Sequence, residues 1–220
     1  MQNNPEILEQ TEKYVRSLLE GEGSGHDWWH IYRVANLAAT IGARESADPY
    51  VTRLGALLHD VADWKFHDGD DAVGPRKARE WLESLDADAE TIDRVAEIVT
   101  DISFKGAGVV TTMRTLEGKV VQDADRLEAL GAIGIARAFA YGGHANRVMY
   151  DPNVPPEMHA NFTKYKTSKG TTVNHFYEKL LLLKDRMQTK TGRAIAEERH
   201  VYMEQFLEKF FAEWEGKDAA

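Results

Sequence analysis

No cysteine occurs among the 220 residues, which removes disulfide staples, thiolate metal ligands and cysteine nucleophiles in one step and suits a reducing cytosol. Long apolar runs are missing as well: no stretch approaches the roughly 18 residues that a membrane-spanning helix needs. The opening residues, Met1-Gln2-Asn3-Asn4-Pro5-Glu6, lack the basic segment and apolar stretch of a secretory leader. These absences together read as a cytoplasmic protein with no membrane partner. Positive charge is in deficit, with 27 Lys and Arg against 36 Asp and Glu, and the net charge of −9 makes nucleic acid an unlikely partner. Local basic patches can still hold phosphate. Alternating β-branched residues are too few to require a sheet, Gly108-Val109-Val110 being the one ambiguous stretch.

What is present is an ordinary globular composition, 43% hydrophobic and 29% charged, long enough for one sizeable core. The expectation is a single domain over residues 1–220, without internal repeats. Pro5 after Asn4 opens a helix whose stripe, Ile7, Leu8, Tyr14, Val15, Leu18 and Leu19, runs to Gly21. A second helix covers about Asp27 to Arg44, with Ile31, Val34, Ala35, Ala38 and Ile41 on one face. Asp48-Pro49 opens a third that ends near His59-Asp60. Two more run from Pro75 to about Leu85 and from Asp88 to about Thr100. Residues Thr115 to Tyr141 form one long helix or two. Pro152, Pro155 and Pro156 forbid a continuous helix between Gly142 and Gly170, and a loop of that length is usually functional or mobile. Beyond it, Thr171 or Thr172 caps a helix with Val173, Phe176, Tyr177, Leu180, Leu181, Lys184 and Met187 along one face. The last helix carries Met203, Phe206, Leu207, Phe210, Phe211 and Trp214, a stripe for the core or for a homodimer contact.

Three His-Asp dipeptides occur, at His26-Asp27, His59-Asp60 and His67-Asp68. Chance alone gives roughly 0.6 such pairs, so the dipeptide by itself is a weak signal. A lone helix-face histidine such as His30 is more often a hydrogen-bonded core residue than a ligand. Context changes this for one dipeptide. His59-Asp60 ends the apolar run Leu54-Gly55-Ala56-Leu57-Leu58, His30 lies on the inner stripe of the second helix, and Asp125 lies in Gln122-Asp123-Ala124-Asp125-Arg126-Leu127. Burying two carboxylates without a partner costs several kcal/mol, on the order of the penalty for any unpaired buried ion, and a divalent cation cancels that cost. Two imidazoles and two carboxylates make a mixed cage for one divalent metal. Mn²⁺, Fe²⁺, Ni²⁺, Zn²⁺ and Mg²⁺ all remain open, with two nitrogen ligands arguing mildly against magnesium.

His30, His59-Asp60 and Asp125 match the H…HD…D signature, and the chain thereby resembles the HD-domain phosphohydrolases. The wider context, His26-Asp27-Trp28-Trp29-His30-Ile31-Tyr32-Arg33-Val34, Leu57-Leu58-His59-Asp60-Val61-Ala62-Asp63, Gln122 to Gly134, and Asn174-His175-Phe176-Tyr177-Glu178-Lys179-Leu180, is similar to the small bacterial YpgQ/YedJ group of these proteins. The resemblance spans nearly the whole chain. It implies an all-α, single-domain helical bundle of the HD-domain type and a metal-dependent phosphohydrolase acting on a nucleotide or related phosphate ester. Hydrolysis of nucleoside triphosphates to monophosphate and pyrophosphate is the best precedent. A nucleotidase, an alarmone hydrolase and a non-catalytic, metal-containing nucleotide-binding module are the alternatives.

Within that scheme Asp63, one helical turn beyond Asp60 if that turn remains helical, is the candidate general base; capping the following loop is its other reading. Arg33, one turn beyond His30, and Lys65 and Arg126 are the candidate phosphate-binding cations, each equally at home in an ion pair. His26 stands one turn before His30, as a substrate contact or an acid, or equally as an exposed helix-start residue. Asp123 cannot share a face with Asp125, because two residues turn a helix by about 200°, and it reads as a supporting carboxylate. Lys164, Lys166 and Lys169 are placed to close over a polyphosphate or to form a solvated loop.

Overall fold

The structure, a computed structural model, describes residues 3–20, 27–61, 72–102, 113–157 and 170–218. Nine α-helices are found among them, and no strand. They are α1 Pro5–Leu19, α2 Trp28–Glu45, α3 Pro49–Leu58, α4 Val73–Ser84, α5 Ala89–Asp101, α6 Leu116–Glu128, α7 Gly131–His144, α8 Thr172–Glu178 and α9 Lys190–Trp214. The all-α expectation holds. No helix among the described residues is long and apolar enough to cross a membrane. The described residues group into two compact units, one ending at Asp125 and one starting at Arg126.

In the first unit the helix starts follow the polar punctuation of the sequence. Asn4, Asp27, Asp48 and Asp88 each turn a side-chain oxygen back to a backbone N–H of the first turn, satisfying donors that a helix cannot satisfy internally. At α6 the Thr115 hydroxyl accepts from Gly118 N at 3.1 Å. Helix α3 is the hub, packing against α1, α2 and α5. Gly55 admits the close approach: a Cβ there would stand 3.0 Å from Ile98 Cδ1 of α5 and 3.6 Å from Val121 of α6. Ile31, Val34, Ala38 and Ile41 of α2, Leu54, Leu57 and Leu58 of α3, and Val120 and Ala124 of α6 are all fully enclosed.

A polar knot sets the register of this core. Glu117, at the start of α6, accepts from the backbone N–H of Asp48 at 3.0 Å, where α3 begins. Arg94 of α5 pairs with Glu117 at 3.0 Å and with Asp48 at 3.4 Å. Burial by itself raises the Glu117 pKa, but the Asp48 N–H, its own backbone N–H and Arg94 outweigh that and hold the carboxyl below its ordinary range.

The stretch from Thr115 to Tyr141 resolves into two helices. Gly131 adopts φ +74°, and a Cβ on Gly134 would lie 2.3 Å from the backbone of Ala129, so the chain turns sharply between α6 and α7. Thr171, rather than Thr172, is the cap of α8. The continuous helix expected through Met187 is not formed: Lys179 leaves helical geometry at φ −142°, ψ −58°, and two 3₁₀ turns, Leu180–Leu182 and Lys184–Arg186, follow. Residues 145–157 carry no helix, in keeping with their prolines; the lysines Lys164, Lys166 and Lys169 lie outside the described residues. Phe206 stacks on Phe176 at 5.9 Å and meets Phe139 edge-on, while Trp214 and Phe211 close on Tyr150. The near half of the aromatic stripe is therefore core, and Trp214 at its end stays exposed.

Two outcomes follow from these environments. The Thr52 hydroxyl of α3 is buried with no hydrogen-bond partner. Thr52→Val therefore stabilises the protein by about 1 kcal/mol, seen as a higher denaturant midpoint at unchanged slope. In the second unit, burial and the neighbouring cations Lys179 and Arg147 push His175 down to about pKa 3. An unfolded histidine titrates near pH 6.5, so below that pH the unfolded chain binds a proton that the folded one refuses. Stability from this group is complete above pH 6.5 and falls as the pH drops toward 3. Urea midpoints at pH 7 and pH 5 should separate less in His175→Gln than in the parent, and an equal separation would remove His175 as the cause.

Candidate metal centre

All four ligand candidates are brought together in the first unit. His30 sits in the first turn of α2, where Asp27 holds its backbone N–H at 2.9 Å. The Asp of the first His-Asp dipeptide is thus a helix cap. His59 follows the last residue of α3, in the turn where the chain leaves the helix. Ligand atoms of His30, His59 and Asp60 lie within 4.8 Å of one another. From α6, Asp125 Oδ1 stands 3.5 Å from His30 Nε2 and 3.8 Å from His59 Nε2. The parallel run of α3 and α6 explains the convergence: Glu117 pins their starts, and Asp125 meets His59 near their ends.

These separations suit one ion. Ligands about 2.1 Å from a common centre stand about 3.0 Å apart when adjacent and about 4.2 Å apart when opposite. Tautomer chemistry agrees. The carbonyl of Ala56, in the last turn of α3, has no helical partner, and His59 Nδ1 lies 2.8 Å from it. Donating Nδ1–H there leaves Nε2 as a lone-pair donor on the side of His30 and Asp125. The two imidazole rings are 5.4 Å apart at 66°, an edge-on arrangement that leaves the space between the nitrogens unfilled by ring stacking. The His30 and His59 side chains are 1% and 5% exposed and Asp125 is 36% exposed, so the nitrogens form a dry floor and the carboxylate a solvent-facing wall. His30, His59 and Asp60 could therefore hold a divalent metal ion, with Asp125 beside them.

The other candidates divide. Arg33 is half-buried, one turn past His30 on α2. Arg126 is buried and its guanidinium donates to the Arg186 carbonyl at 2.5 Å, so part of it serves the second unit's own fold. Asp123 is fully buried. His26, Asp63 and Lys65 lie outside the described residues, as does His67-Asp68. The Ala56 carbonyl escaped the sequence reading because every residue offers one; only its three-residue spacing from His59 marks it.

Fold and site together define an all-helical protein of the HD type with a His and Asp group that could hold a metal ion. The HD domain family matches residues 28–130, a span that contains His30, His59, Asp60 and Asp125. Over 212 residues the chain is 40% identical to YpgQ of Bacillus subtilis, covering 96% of this chain and 95% of that protein. The crystal structure of YpgQ in complex with ADP matches at a TM-score of 0.77 and 36% identity, over 99% of this chain and 100% of that one. An HD-superfamily hydrolase from Bacillus thuringiensis matches at a TM-score of 0.75 and 44% identity, over 96% and 98% of the two chains. A protein from Lactobacillus plantarum reaches a TM-score of 0.85 at 36% identity, over 98% and 100%. The chain belongs to the HD-domain family.

Metal binding is measurable as stability. With Mn²⁺ at about 100 times its dissociation constant, the folded state should gain about 2.7 kcal/mol, raising the thermal midpoint, and a chelator should reverse the gain. His59→Ala and Asp60→Asn should each shrink the shift. A midpoint indifferent to Mn²⁺, Fe²⁺, Ni²⁺, Zn²⁺ and Mg²⁺ alike would exclude the metal centre.

Proposed function

We propose that the protein is a metal-dependent phosphohydrolase that cleaves nucleoside or deoxynucleoside triphosphates to monophosphate and pyrophosphate. The observation that carries this reading is the convergence of two imidazole nitrogens and two carboxylates on a partly open site. The family, and the ADP complex of the relative YpgQ, support a nucleotide as substrate.

His30 and His59 would hold the metal through Nε2, and Asp60 and Asp125 would balance its charge. When bound, a divalent cation supplies Lewis acidity toward water and phosphate oxygens. The protein's own groups do the remaining work. Asp63 takes a proton from the attacking water as the new oxygen–phosphorus bond forms at the α-phosphorus. The bond from that phosphorus to the bridging oxygen breaks, and pyrophosphate leaves with the electron pair. Arg33, Lys65 and His26 hold phosphate oxygens against the charge that develops, with Arg126 as a further cation toward the substrate.

A panel of nucleotides with Mn²⁺ tests the reaction. Pyrophosphate and monophosphate should appear from triphosphates in equal amounts; orthophosphate released from monophosphates alone would replace the reading by a nucleotidase. Asp63→Asn should lower kcat by about 10²- to 10⁴-fold while keeping the metal-linked thermal shift. Unchanged turnover in that variant removes Asp63 from the mechanism.

A further inference from the structure

The first unit holds an open cavity of about 400 Å³ between α4 and α5, within the roughly 300–1,000 Å³ typical of small-molecule sites. None of the four metal-ligand candidates lines it. Spacing explains which side chains do. Arg76 and Arg79 stand three apart on α4 and share a face, while Asp93, Ala96, Glu97 and Thr100 recur at three and four along α5 and share another. Arg114, just before α6, completes the lining.

Guanidinium groups are the donors of this cavity, because the Thr100 hydroxyl already donates to the Ala96 carbonyl at 2.7 Å. Arg79 meets Asp93 through Nη2 at 2.8 Å. Glu97 and Asp101, one turn apart on α5, both approach Arg114 at Nε, each at 2.9 Å. Nε carries a single hydrogen, so two carboxylates share one donor while the Nη groups of Arg114 are left to other acceptors. The arginines are thus tethered by one edge, which lowers the entropic cost of using the rest. Arg79 and Arg114 are 44% and 62% exposed, so a ligand from solvent can reach those N–H groups.

The lining also limits what fits. Three guanidinium groups repel a metal cation, and Asp93 and Glu97 repel a long polyanion. A compact anion with one phosphate meets neither objection, since the guanidinium fork matches its oxygens. We propose that this cavity is a second ligand site that takes a small phosphate monoester, its phosphate on the unused N–H groups of Arg79 and Arg114 and its organic part over Pro75 and Ala96. Pro75 is half-buried and Ala96 buried, so they offer a small apolar floor. The site uses no metal, and it stands or falls independently of hydrolysis at the His and Asp group.

Equilibrium dialysis with glycerol phosphate and with inorganic phosphate, each with Mn²⁺ and with a chelator, tests the assignment. Glycerol phosphate binding should persist in the chelator and in His59→Ala. A charge-assisted hydrogen bond is worth about tenfold in affinity or more, so Arg79→Ala and Arg114→Ala should each weaken binding by at least about that factor. Arg114→Lys keeps the charge without the fork and should lose most of the affinity too. Asp93→Asn releases Arg79 and should tighten binding, whereas Glu208→Gln, an exposed neutralisation on α9, should not. Thermal midpoints should stay near the parent's, because surface ion pairs contribute little to stability. The proposal is overturned by a parent that binds neither probe once metal is chelated, by an equal loss in His59→Ala, by parental affinity in the arginine variants, or by equal tightening in Asp93→Asn and Glu208→Gln. Tighter binding of inorganic phosphate than of glycerol phosphate would overturn the monoester in favour of the free anion.

Discussion

Enclosure of α3 is the constraint on which the first unit depends. Eight of its ten residues are buried, which leaves almost no face for water and forces α1, α2, α5 and α6 to surround it. A helix buried all round ends with carbonyls that must find partners inside the protein. His59 answers that demand by approaching the Ala56 carbonyl, and in doing so its ring is oriented and its tautomer chosen. The same local need that closes the helix thus prepares a nitrogen that could hold a metal ion. The Asp48, Arg94 and Glu117 knot acts at the opposite end, pinning the start of α3 to the start of α6. Two helices held in register at one end, and both buried along their length, must bring fixed residues together at the other.

Much of this was legible in the sequence because it follows from periodicity and capping. Asn4-Pro5, Asp48-Pro49 and Asp88 marked helix starts, and the apolar neighbours of His30, His59 and Asp125 pointed to burial, which holds for the two histidines, while Asp125 is 36% exposed. What stayed open or went astray depended on contacts distant in the chain or on single backbone angles. Gly131 permits a positive φ without requiring one, so one helix and two were equally readable until Gly131 was seen at φ +74° and Gly134 against the Ala129 backbone. Val173 to Met187 has a fair helical stripe, yet Lys179 departs from helical angles and the stripe passes into 3₁₀ turns. Arg126 reads equally as a phosphate cation or an ion-pair residue, and only the structure shows that one of its guanidinium N–H groups donates to the Arg186 carbonyl.

The shortage of positive charge with which the sequence reading began sharpens the question of affinity. A protein of net charge −9 offers a polyanionic nucleotide no long-range attraction, and salt further confines any electrostatic help to within about 8–10 Å. On the proposed reading, binding must therefore come from short-range terms. A divalent cation between His30, His59, Asp60 and Asp125 supplies one, Arg33 another, and neither distinguishes a nucleotide from free pyrophosphate. A surface that senses the uncharged part of the ligand is needed for that distinction.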